Sequence, residues 1–115
     1  EQLWLRRLQG QDATWPPDPM TDASRDAVWE KWLAIQSGWR ALLADMSDAD
    51  LKREMTHTRS SGATEGVVIS LVLQHVVNHA TDHRAQILAR IHQLGGRTTD
   101  QDIIGYHRDT DWLSG

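Results

Sequence analysis

His75-Val76-Val77-Asn78-His79-Ala80-Thr81-Asp82-His83-Arg84-Ala85-Gln86 sets three histidines at intervals of four inside a long segment of helical apolar periodicity. Four residues is just over one helical turn, so successive histidines lie about 40° apart around the axis and about 6 Å along it. The pattern predicts an α-helix from about Ser70 to Leu94, ended by Gly95-Gly96. Half of the six histidines of the chain lie here. Two neighbouring imidazoles at this spacing can hold one metal ion, and a metal site is the chemistry to which the segment points most directly.

A helical wheel ranks the three. With His75 at 0°, the apolar residues Leu73, Val76, Val77, Ala80, Ile87, Leu88, Ile91 and Leu94 centre near roughly 150°. Gln74, Asn78, Asp82, Gln86 and Gln93 share the opposite face with His75. His79 falls at about 40° and His83 at about 80°, nearest the apolar side. Ligands in helical bundles project inward, which favours the pair His79 and His83. Arg84 falls on the apolar side, where it predicts a buried, structural arginine with a carboxylate partner.

One helix cannot supply all three ligands. On a straight helix the Cα atoms of His75 and His83 are about 12 Å apart, whereas each nitrogen must approach zinc to about 2.0–2.1 Å. The three would bind nearly in line, against a tetrahedral site. A third ligand must come from elsewhere, with His57, Glu54, Asp82 and Glu1 as candidates within the chain. Asp82 and Gln86 read equally well as groups that orient the imidazoles and as plain surface residues. Spacing alone also leaves open two solvated or hydrogen-bonded imidazoles. Val76 stands where a His-Glu-x-x-His metalloprotease would carry its base.

The rest of the chain frames this helix. Its 115 residues suit one domain with a modest core. A net charge of −4 with scattered arginines argues against nucleic-acid binding. The absence of cysteine removes disulfides, thiolate sites and a Cys nucleophile, and no apolar run reaches a membrane span. A soluble, cytoplasmic protein is expected. Leu3, Trp4, Leu5 and Leu8 have helical spacing before a stop at Gly10, and Trp4 is placed to face the same cavity as the histidines. Residues 11–23 hold all three prolines and form a connector. Asp22 or Ser24 then caps a helix running to about Met46, with Trp29, Trp32 and Trp39 as core or dimer-interface residues. The acidic stretch from Asp45 to Asp50 reads as a solvated turn, with Ser47 to Asp50 as a turn or one short helical turn. Glu54 to Thr58 predicts a short strand, Ser60-Ser61-Gly62 a turn, and Val67-Val68-Ile69 a partner strand or the lead-in to the last helix. Ile103, Ile104, Tyr106, Trp112 and Leu113 punctuate a polar tail expected to pack back.

The histidine stretch resembles the signature H-x-x-x-H-x-x-x-H-R-G-Q of the DinB / YfiT-like metalloenzyme superfamily, with Ala85 in place of the glycine. Gln93-Leu94-Gly95-Gly96, Leu3-Trp4-Leu5 and Asp102-Ile103-Ile104-Gly105-Tyr106 match collinearly. The resemblance implies an all-α fold, an up-down four-helix bundle with three of its long helices in this chain, to which the residues themselves add a short β-hairpin before the last of them. It implies a homodimer that binds a divalent metal (Zn, Ni, Mn or Fe) through three histidines. By position in the motif two of these are His79 and His83, and His75 becomes structural. The family's third ligand falls before Glu1, as does its first helix. The expectation is thus a single DinB-like domain over residues 1–115, N-terminally incomplete, whose exposed core a partner chain covers. The implied activity is that of a metal-dependent enzyme, a thiol-dependent transferase or hydrolase-like protein acting on a small molecule, with neither nucleic acid nor membrane as partner. No residue stands out as a general base. The rival expectation is a non-catalytic helical dimer, a stress-related binding or structural module with a vestigial site.

Overall fold

The computed structural model describes residues 1–11, 13, 23–59 and 61–101. Its elements, in order, are α1 (Gln2–Leu8), α2 (Arg25–Ala44), α3 (Asp48–Lys52), β1 (Glu54–Thr58), β2 (Thr64–Val68) and α4 (Ile69–Gln93). The Trp15–Pro19 connector, Asp22 and the tail from Asp102 onward lie outside the described residues. The chain forms two compact units, Glu1–Ala80 and Thr81–Gly115.

The first unit is built on punctuated helices. α1 is only seven residues long. Gly10, at φ +71°, stops it: Gly10 N–H donates to Arg7 O (3.1 Å) and Gln11 N–H to Arg6 O (2.9 Å). This is the paired closure that a left-handed residue permits. Three long helices were expected; among the described residues the two long ones are α2 with 20 residues and α4 with 25. Ser24 caps α2, its Oγ accepting from Ala27 N–H at 3.3 Å. Gly38 lets α1 lie close on α2, since a Cβ there would sit 2.8 Å from Leu5 Cδ2. Glu1 is tied to the same helix by Gln36 Nε2, which donates to its carboxylate at 2.6 Å. The acidic turn carries a helix: Ser47 and Asp50 form a reciprocal capping box at the start of α3.

β1 and β2 form the expected hairpin, antiparallel, with Met55 opposite Val67 and His57 opposite Glu65. The two-residue alternation turns Met55, His57, Glu65 and Val67 to the less exposed side. Gly62 closes the loop at φ +85°, donating to Arg59 O at 2.9 Å. Ile69 N–H donates to Arg53 O (3.0 Å), so α4 starts directly from the sheet. Among the described residues the buried apolar core is Leu5, Trp39, Ile69 and Val72.

In the second unit α4 ends as Gly95-Gly96 predicts. Gly95 takes φ +78°, and Gly95 N–H and Gly96 N–H return to His92 O and Ile91 O, both at 2.9 Å. Arg84 corrects the wheel: it is exposed and donates to Thr81 Oγ1 at 2.8 Å instead of sitting buried beside a carboxylate. An exposed guanidinium keeps its hydration, which burial would remove.

Candidate functional site

The histidines of α4 divide between two environments. His75 turns toward α1, its ring 5.6 Å from that of Trp4 at 70°. The opposite neighbour of Trp4 is His57 of β1, 4.9 Å away at 72°. His79 stacks on His75 at 5.2 Å and 16°. The first unit therefore carries one row of rings, His57, Trp4, His75 and His79. The wheel ranked His75 as the most polar-facing of the three, yet it is the one that packs on the tryptophan. The wheel takes the apolar face as the inner one, whereas Val77, Ile87 and Leu94 are 66%, 59% and 72% exposed. Trp4 faces the cavity that His75 also lines, as the sequence predicts. His83 lies on the exposed surface of α4 in the second unit, where Gln86 Nε2 donates to Asp82 at 3.2 Å.

The cavity has a volume of roughly 530 Å³ and gathers Trp4 and Arg7 of α1, His57, Arg59 and Glu65 of the hairpin, and Val72 and His75 of α4. Arg7 lies over the Trp4 ring, 4.9 Å from its centroid, and donates from Nη2 to Thr58 O at 3.0 Å. The hairpin register explains the opposite wall. His57 faces Glu65 directly across the ladder, and its Nε2 lies 3.2 Å from Glu65 Oε1. Arg59 Nε reaches the same oxygen at 3.3 Å. The His57 side chain is only 9% exposed, and its Nδ1 is buried with no hydrogen-bond partner among the described residues. Leaving a buried ring nitrogen unsatisfied costs about 1–3 kcal/mol.

His57 was one of four candidates for a third metal ligand. It is drawn into the ring row, but Glu65 holds its Nε2. Glu1 is held by Gln36 and Asp82 by Gln86, and Glu54 is exposed at the start of β1. The donor chemistry of His79 and His83, two imidazoles four residues apart, suits a first-row divalent ion. No group of three His, Asp or Glu side chains placed to hold a metal occurs among the described residues. Glu65, Arg7 and Arg59 were not singled out from the sequence. The signal for Glu65 and Arg59 was the strand register, which a hairpin of undetermined loop length does not reveal, whereas Arg7 lies on α1 and meets the hairpin at Thr58 O.

No helix among the described residues is long and apolar enough to cross a membrane. A model of the DinB family matches residues 1–113. No curated protein and no solved structure matches the chain.

Proposed function

The chain belongs to the DinB family, and on that premise we propose that it is a metal-dependent enzyme of a helical-bundle type, with His79 and His83 as two ligands of a divalent ion. The observation that carries the reading is the four-residue spacing of the two imidazoles within α4. A divalent ion held there supplies Lewis acidity and lowers the pKa of a bound water or thiol. The residues do the rest: the imidazoles set the charge and orientation of the site, while His75, stacked on His79, restrains that ring. Thiol-dependent transfer and hydrolysis both use this chemistry. A homodimer accompanies the reading, supported by the exposure of Trp29, Trp32, Leu33 and Leu43 on α2.

The test is metal content after purification without a His tag. About one equivalent of Zn, Ni, Mn or Fe per chain is expected, and less than roughly a tenth of an equivalent refutes the assignment. His79→Ala and His83→Ala each abolish uptake, whereas His75→Ala only weakens it. Equal loss in all three contradicts the choice of ligands.

A second reading, a non-catalytic helical module with a vestigial site, is favoured by one observation: the lack of a grouped third donor among the described residues. It predicts a folded, dimeric protein that takes up no metal.

A further inference from the structure

We propose that the cavity between α1, the hairpin and the start of α4 is a binding site for a small organic monoanion, a carboxylate on an apolar body. Neither proposed metal ligand, His79 or His83, lines it.

Size comes first. A volume of roughly 530 Å³ is that of a small-molecule site. Charge comes next. The lining holds two guanidinium groups, Arg7 and Arg59, and one carboxylate, Glu65, a formal excess of one positive charge with His57 and His75 counted as neutral. One anionic charge balances it. A phosphate dianion would overshoot, and Glu65 would repel its second charge.

Arginine is also the right donor. Each guanidinium has five N–H groups in a planar fork that fits a carboxylate in bidentate fashion. Arg7 donates Nη2 to Thr58 O and Arg59 directs Nε to Glu65, so both are held by the hairpin while further N–H groups remain for a ligand. The apolar body has its own wall. Trp4, Val67 and Val72 line the same space, and Trp4 is fixed between Arg7 and the two imidazoles. A ligand with a carboxylate at one end and an aryl or alkyl body at the other matches both features.

The experiment titrates 3-phenylpropanoate into the full chain in EDTA, followed by calorimetry and by the Trp4 indole N–H resonance. Saturable binding at one site per chain is expected, at least about tenfold tighter than 3-phenylpropanamide, because the amide leaves the guanidinium charges unmatched. Arg59→Gln and Arg7→Gln each weaken it by about fivefold or more. If Arg7→Gln disturbs α1 in circular dichroism, Arg59→Gln alone must show the loss. Trp29→Ala leaves binding unchanged. Equal affinity for acid and amide, or no saturation by about 10 mM, overturns the proposal. So does tighter binding of 3-phenylpropyl phosphate. Binding that appears only when zinc replaces EDTA assigns the carboxylate to the metal, which overturns the cavity site and leaves the metal reading standing.

Discussion

His57 shows how much one side chain depends on its cross-strand neighbour. The imidazole is nearly buried, and Glu65 holds its Nε2. Glu65→Ala removes the carboxylate that lies against the nearly buried ring and lowers stability by about 1–2 kcal/mol, measured as a drop in the urea midpoint at constant slope. Replacing both, as His57→Leu with Glu65→Leu, costs less than the sum of the single changes. A strictly additive double-mutant cycle would show that the pair is not coupled. Asp50 makes a separate test. Its pKa is lowered from 3.8, first by the Ser47 hydroxyl and then by the Ser47 backbone N–H. Its contribution to stability is therefore complete above the unfolded value and is lost as pH falls through the folded one. The Asp50 carboxyl resonance should titrate below 3.8 in the native protein and return toward 3.8 in Ser47→Ala. A native midpoint at or above 3.8 contradicts the capping box.

At the scale of the element, glycine was the most legible residue. Gly10, Gly62 and Gly95 all take positive φ, and each marks the end or turn that composition predicts. Gly95→Ala forces a Cβ into the left-handed region and should cost about 1 kcal/mol, read as a lowered thermal midpoint. An unchanged midpoint would mean that the last turn of α4 frays. The hairpin was legible for a similar reason, since β-branched residues flank a Ser-Gly turn. The register was not legible. A slip of one residue would send His57 to solvent and its neighbour inward, and no local residue type distinguishes the two arrangements. The length of α1 was half legible: Gly10 set its end, while the expectation of three long helices came from a resemblance and not from the residues.

For the whole molecule, the histidine helix was readable and its inner face was not. Amphipathicity identified a helix by period, yet the period does not say which neighbour arrives on which side. Trp4, about seventy residues earlier in the chain, chose His75 by packing on it, and that contact has no local signature. The exposed apolar side chains of α2 carry the matching prediction at this scale. Trp29 and Trp32 stack on one another at 5.0 Å while 57% and 42% exposed. If they belong to an isologous contact between two copies, light scattering gives the mass of a dimer, and Trp32→Glu shifts it to a monomer. A wild-type protein that is monomeric throughout contradicts the homodimer.

The anchoring of α1 has a thermodynamic corollary. Gln2–Leu8 is tied down at Gln36, Gly38 and Thr58, by buried Leu5 and by the packing of Trp4 on His57 and His75. Trp4 and Arg7 leave together when it detaches, removing a wall and a charge from the cavity at once. Occupancy and helix docking are thereby linked: a molecule that requires both residues is itself a further anchor. Amide hydrogen exchange in α1 should slow in proportion to saturation of the cavity, while exchange in the far end of α4 stays as it was.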